Sequence, residues 1–227
     1  MKRVVVPELL DSDAGTSREI QDSLSDLWMI NRRFGGVRTM KKLLRRVAQR
    51  RDLQSLTWLD VGGASGKVAE MTDCGLTTAG IDCTSTVLDF AFTHLNGRRP
   101  AVCGNALALP FRDESFDVVA SSLFVHHLEP DELAASVREG LRVAKHAVVI
   151  NDLVRNPVHL ALVYAGFPLY RSRLTRHDAV ASVRRAYTLD ELRAILAQTG
   201  ASSIEIGVYY LFRLGAIAWK QPLSSTI

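Results

Sequence analysis

Asp60-Val61-Gly62-Gly63-Ala64-Ser65-Gly66 follows a short apolar run and precedes residues that restart as a helix. Such a segment offers a tight backbone turn, so that a ligand can approach the start of the helix closely. Spaced glycines in this setting can cradle a pyrophosphate, but a carboxylate directly before them repels one. Asp60 instead suits a ligand that carries positive charge. Asp82 closes the run "TTAGID", at the distance where an acid ending a second strand meets ribose hydroxyls. That acid serves a dinucleotide or an adenosyl sulfonium equally well, so the distinction rests on Asp60. Asn105-Ala106 then follows a third apolar run and enters a Leu-Pro-Phe loop that returns the chain to a fourth.

Three further groups have side chains able to move or hold a proton. His126-His127 stands after the fourth run in "SSLFVHHL", Asn151-Asp152 after the fifth, and His177-Asp178 within "RSRLTRHDAVASVRRAY". An imidazole at neutral pH can accept a proton from an acceptor hydroxyl. His177 and His127 are the candidate bases, and Asp152 is a candidate to orient a histidine or a substrate hydroxyl. Each has a plainer alternative: packing or helix capping for the histidine pair, loop capping for Asp152, and a solvated loop position for His177. Arg171, Arg173, Arg176, Arg184 and Arg185 crowd the same insert. One of them could hold an acceptor carboxylate or phenolate with two parallel hydrogen bonds.

The elements that must position these residues follow from periodicity. Thr16 and Glu19 have capping-box spacing ahead of "IQDSLSDLWMINRRF", and Val37, Met40, Leu44 and Val47 recur on one helical face. Residues 1–55 therefore read as a helical cap. From Leu56 the chain alternates between strand-like and helical segments. Strands are expected at "LTWLDV", "TTAGID", "PAVCG", "SFDVVASS", "KHAVVIND", "SSIEIGV" and "YLFRLGAIAW", with helices beginning near Gly66, Thr84, Pro130 and Thr188. Alternation of this kind predicts an α/β fold with a mostly parallel sheet. The last two strands have no helix between them and should pair antiparallel. Residues 56–227 form the expected core, with an insert at about 154–187 covering the acceptor.

With these motifs in this order, the chain resembles the class I S-adenosylmethionine-dependent methyltransferases. It is most similar to their small-molecule branch, related to quinone-biosynthesis methyltransferases, over about Leu56 to Leu153. "INRRFGG" and "LTRHDAVASVRRAY" are similar to segments of methyltransferases of phenolic polyketide pathways. The resemblance implies a Rossmann-like seven-stranded fold and S-adenosyl-L-methionine as cofactor. By position it implies that Asp60, Gly62, Gly63 and Gly66 line the methionine portion. Asp82 would bind the ribose hydroxyls, and Asn105 and Ala106 the adenine. Ala64 stands where many members have a glycine, and Asn105 where an aspartate is common; the Asn side-chain oxygen can still accept from an amine. The activity implied is O-methylation of a small phenolic or polyketide-like acceptor, with C-methylation of a quinol-like ring as the alternative.

Composition bounds the rest. The chain has 227 residues, 47% hydrophobic and 23% charged, and a net charge of +4. That is ordinary for a globular domain, and the longest apolar runs fall short of the roughly 20 residues of a membrane span. Three cysteines without a CxxC pair argue against a disulfide framework or a zinc-cysteine site and fit a reducing cytoplasm. No metal is expected. Pro7 with Glu8, Asp11 and Asp13 spoils a signal-peptide pattern. Nine Lys or Arg residues lie between Arg32 and Arg51, the feature that would suit an RNA substrate. The Asn/Asp-Pro-Pro-aromatic motif of base-amine methylation is absent, so these cations read as the wet face of a helix lying over the cofactor cleft. A non-catalytic partner protein is disfavoured by the retained Asp60, Gly62, Gly66 and Asp82, and a homodimer is compatible with the composition.

Overall fold

A computed structural model describes residues 1–12, 14–90 and 99–220. Two helices come first, α1 (Ser17–Arg33) and α2 (Gly36–Arg51). They are followed by β1 (Ser55–Val61), α3 (Lys67–Thr77), β2 (Asp82–Asp89), β3 (Ala101–Cys103) and β4 (Phe116–Ser122). Next come α4 (Pro130–Val143), β5 (Ala144–Leu153), α5 (Pro157–Ala165), α6 (Arg173–Arg185) and α7 (Leu189–Leu196), and the described chain closes with β6 (Ser203–Val208) and β7 (Arg213–Trp219).

The local signals act as their chemistry requires. Thr16 and Glu19 cap α1 reciprocally, Thr188 and Glu191 do the same for α7, and Pro130 opens α4. The strands form a seven-stranded sheet in the order β3-β2-β1-β4-β5-β7-β6. β1 to β5 run parallel, and β7 lies antiparallel between β5 and β6. Alternate side chains go to opposite faces. Trp58, Val118 and Val149 join Met40, Leu43, Leu44 and Val47 of α2 on one face. Leu59, Val119 and Val148 meet Leu133 of α4 and Leu192 of α7 on the other. Burial of these apolar groups on both faces is the main cohesive term.

The strand order reverses between β1 and β4, which opens a crevice beyond their carboxyl ends. Two expectations need correction here. "TTAGID" is not a strand: α3 runs on to Thr77, Thr78 Oγ1 donates back to Cys74 O at 2.7 Å, and Gly80 turns with φ +85°. The β-branched pair Thr77-Thr78 thus ends a helix rather than starting a strand. β2 then occupies the place where a helix near Thr84 was expected, because Thr84, Thr86 and Val87 fit a pleated surface better than a helix. Of the two helices expected as a cap, α2 packs into the sheet core, and α1 alone lies over the crevice.

Candidate active site

A cavity of about 1170 Å³ fills the crevice. It is bounded by the β1–α3 turn, the ends of β2 and β3, the segment after β4, helices α1, α5 and α6, and residues 8–11. A site for one ligand usually measures roughly 300–1,000 Å³, so two molecules have room side by side.

On one side is the glycine turn. Gly62 and Gly66 both hold φ +69°, and Ala64 adopts φ +45° where a glycine would be free of strain. Gly62 and Gly63 donate their amides to Leu88 O at 2.8 and 3.3 Å, and the Ala64 amide donates to Asp89 Oδ2 at 2.9 Å. Gly63 admits no side chain: a Cβ there would stand 2.7 Å from Asp60 Oδ2 and 2.8 Å from Val87 Cγ1. Asp60 itself is 0% exposed, and neither carboxylate oxygen has a hydrogen-bond partner. Burial, with the nearby Asp73 and Asp89 carboxylates adding to it, pushes its pKa up to about 8. Asp73 is by contrast fully engaged, accepting from Trp58 Nε1, Ser85 and Arg99.

The structure corrects the second acid. Asp82 pairs with Ser55 at the amino end of β2 and is exposed, whereas Asp89 ends the strand at the cavity, buried. Seven residues of strand separate them by roughly 23 Å. The signal for the acid that ends β2 at the cavity is the run "DCTSTVLD", whose β-branched residues end on Asp89. Asn105 and Ala106 both line the cavity after β3, and Asn105 Oδ1 accepts from Leu107 N at 2.9 Å, which fixes the loop.

The other side is built around the histidine pair. Leu123 leaves β4 with φ +54°, and a short 3-10 turn at Val125–His127 carries both rings. His126 is 2% exposed; its Nδ1 lies 2.7 Å from Asp152 Oδ1, and its backbone amide donates to Asp152 Oδ2. His126 Nε2 is 3.3 Å from Glu8 Oε1, and His127 Nε2 is 3.9 Å from Glu8 Oε2. His127 Nδ1 is 3.0 Å from Asp11 Oδ2. Burial opposes charge on His126, but the Asp152 and Glu8 carboxylates outweigh it and hold its pKa above the ordinary range. Burial likewise opposes charge on Glu8 and Asp152, and the histidines outweigh it, holding both carboxyls low.

Glu8 arrives on a strap formed by residues 1–12. Leu9 and Leu10 donate their amides to Asp178 Oδ1 and Oδ2 at 2.8 and 3.0 Å. Arg3 reaches Arg185 O, Leu128 O and Glu129, and Ser182 Oγ donates to Glu8 Oε1 at 2.7 Å. In the sequence, Glu8 and Asp11 count only as acids near the amino terminus, so the strap's part in the site has no local signal.

Of the candidate proton-handling residues, His127 lines the cavity and Asp152 stands behind His126. His177 does not belong to the site: it is exposed on the outer side of α6, with Nδ1 2.8 Å from Asp178 Oδ1, and it does not line the cavity. Asp178 faces inward because the strap amides claim it, and the helical twist turns its neighbour out. None of the five insert arginines lines the cavity either. Arg213 at the start of β7 does; its Nε donates to Phe34 O at 3.2 Å, and burial pulls its pKa down to about 10.

Known proteins similar to this chain include methyltransferases. Residues 59–150 match the family model described as "Methyltransferase domain". A demethylmenaquinone methyltransferase of Roseiflexus castenholzii is 30% identical over 178 residues, covering 70% of this chain and 72% of that protein. Its counterpart in Roseiflexus sp. strain RS-1 is 32% identical over 180 residues, again with 70% and 72% covered. Among solved structures, the plantazolicin methyltransferase BpumL, in complex with a pentazolic desmethylPZN analog and SAH, superposes with a TM-score of 0.64. That match has 14% identity and covers 87% of this chain and 89% of the other, so it speaks for the fold. With its glycine turn, its buried acid at the end of β1 and its sheet order, the chain belongs to the class I S-adenosylmethionine-dependent methyltransferases, and it is an enzyme of the small-molecule kind.

Proposed function

We propose that the cavity holds S-adenosylmethionine along the glycine turn and a hydroxylated aromatic acceptor against the His126-His127 pair. The observation that carries this reading is the orphaned Asp60 carboxylate. A buried carboxyl without a donor is costly to ionise, and the ammonium of the cofactor's amino-acid end supplies both charge and donors. Gly62, Gly63 and Gly66 let that end lie against the backbone, Asp89 takes the ribose hydroxyls, and Asn105 with Ala106 takes the adenine. The cofactor supplies the electrophilic methyl group.

This chain's own residues do the rest. They align the acceptor oxygen or ring carbon with the methyl group and exclude water, and such positioning is worth roughly 7–11 kcal/mol. A phenol has a pKa near 10, so at pH 7 about one in a thousand is ionised, a deficit of about 4 kcal/mol. The strap brings Glu8 and Asp11 to the histidine pair, and Asp152 positions the His126 ring. This cluster of side chains along the described cavity wall has the capacity to draw the proton from such a hydroxyl. The walls contributed by Leu24, Leu27, Trp28, Leu162 and Val163 suit an apolar ring and tail.

Transfer to a phenolic oxygen is the first reading. Transfer to a ring carbon of a quinol is the second, and the relatedness to demethylmenaquinone methyltransferases favours it. Both need the same ionised hydroxyl. Incubation with methyl-labelled cofactor and two acceptor sets, alkylated resorcinols and reduced naphthoquinones, separates them by whether the product carries a methoxy or a ring-methyl group. No transfer to either set would remove the aromatic acceptor.

The corrected acid gives a sharp comparison. Asp89→Asn is expected to weaken S-adenosylhomocysteine binding roughly 10–100-fold, the worth of hydrogen bonds to a charged group. Asp82→Ala at the far end of β2 is expected to leave it within twofold. Calorimetric titration of both variants checks this, and an equal effect from the two would remove the ribose assignment.

A further inference from the structure

Glu8, His126 and His127 arrange their lone pairs in a way that methyl transfer alone does not require. His126 gives its Nδ1 to Asp152 at 2.7 Å, and His127 gives its own to Asp11 at 3.0 Å. A neutral imidazole that donates from Nδ1 has an acceptor lone pair at Nε2. Both Nε2 atoms face the Glu8 carboxylate, at 3.3 and 3.9 Å, and the three ligand atoms lie within 4.8 Å of one another. His126 Nε2 is buried and has no hydrogen-bond partner. Converging lone pairs of this kind need positive charge between them, and a divalent ion would supply it in place of the proton that the Asp152 and Glu8 carboxylates otherwise favour on His126.

We propose that Glu8, His126 and His127 form a three-ligand site for a divalent ion of the zinc class, with its open position toward the acceptor cavity. Ligand bonds of about 2.0–2.2 Å place tetrahedral neighbours about 3.3–3.5 Å apart; Glu8 and His126 already stand at 3.3 Å, and His127, at 3.9 Å from Glu8, would draw in on an ion. Carboxylates behind the histidines, as Asp152 and Asp11 stand here, are the usual outer partners of metal-bound imidazoles; they fix the tautomer and raise ligand basicity. Two imidazole nitrogens favour zinc, cobalt or ferrous iron over magnesium or calcium. Three protein ligands leave a coordination position free. All three residues line the cavity, so that position is available to a water or to an acceptor oxygen. The inference goes beyond methyl transfer and holds whichever atom of the acceptor is methylated.

The test uses the full, untagged chain after chelator treatment, titrated with Zn2+ by calorimetry and with Co2+ by visible absorption. One equivalent binding at micromolar concentration or tighter is expected. Glu8→Gln and His127→Gln should each weaken binding at least 100-fold, and the outer variant Asp11→Asn by 10–100-fold. His177→Gln, on an exposed histidine outside the cavity, should bind as the parent does. S-adenosylhomocysteine affinity, measured on each variant, reports that the fold and cofactor side are intact. A parent protein that binds S-adenosylhomocysteine but no Zn2+ or Co2+ would overturn the metal site and leave the methyltransferase reading standing. So would unchanged metal binding in both Glu8→Gln and His127→Gln, because the ion would then sit elsewhere.

Discussion

Asp60→Asn is expected to make the protein more stable and to weaken cofactor binding. An aspartate carboxyl ordinarily ionises near pH 4, but in the folded chain burial holds the proton on Asp60 up to about 8. Between those values unfolding releases a proton, so the group's effect on stability is nil at low pH. It becomes increasingly unfavourable as pH rises from about 4 to 8. Asparagine has no such proton to lose. At pH 7 the gain is on the order of 2–4 kcal/mol, or roughly 5–15 °C in melting temperature for a domain of this size. Below pH 4 the two proteins should melt alike. Cofactor binding shows the converse. The ammonium requires the ionised carboxylate, so parent affinity should climb from pH 6 to 8 and level off above. The variant should be flat with pH and roughly 10–100-fold weaker at pH 8. Thermal melts at pH 4 and 7, with titrations of S-adenosylhomocysteine across pH 6–9, read both effects. A destabilised variant would mean that Asp60 serves the fold rather than the ligand.

Removal of residues 1–12 is expected to cut methyl transfer by a hundredfold or more and to leave S-adenosylhomocysteine affinity within about threefold. The strap carries Glu8 and Asp11 to the histidines, and positioned proton-transfer groups are typically worth 10²–10⁴ in rate. Its contacts include Asp178 for the Leu9 and Leu10 amides, Ser182 for Glu8, Arg185 O and Leu128 O for Arg3, Arg184 O for the Val4 amide and Arg155 for Met1 O. Among the described residues, the glycine turn bonds to Leu88 and Asp89 rather than to the strap, and α1 keeps its own cap at Thr16. Asp178→Ala, which releases the two strap amides in the intact chain, should show the same split at smaller size. Initial rates beside calorimetric affinities decide the matter. A parallel loss of rate and affinity would make the strap part of the common scaffold.

The sequence was readable wherever the signal is local. Capping boxes, the strand alternation of β1 and β4–β7, and the spacing Asp60–Gly66 each depend on neighbours a few residues away. They carry the sheet class and the antiparallel pairing of the last strands, and the glycine turn they mark lines the cavity. The second acid was misplaced because α3 ends in threonines that look like a strand, which moved the whole β2 reading seven residues upstream. The acceptor side was harder. Glu8 and His126 are separated by more than a hundred residues, and no periodicity links them. Nothing in the residues around His177 signals that the strap draws Asp178 inward and leaves His177 in solvent.

The strap also bears on when the enzyme becomes competent. Leu9 bonds to a residue 169 positions later, and Arg3 to one 182 positions later. Contacts of such sequence separation must overcome most of the loop-closure entropy of the chain before they are rewarded, and they form late. While the polypeptide is being synthesised, the glycine turn and its first strands can assemble long before α6 leaves the ribosome. The cofactor side can thus exist in a nascent chain whose acceptor side is still open. Docking of residues 1–12 onto α6 is then a late event of folding, and the methyl donor meets a finished acceptor site only after most of the sheet is in place.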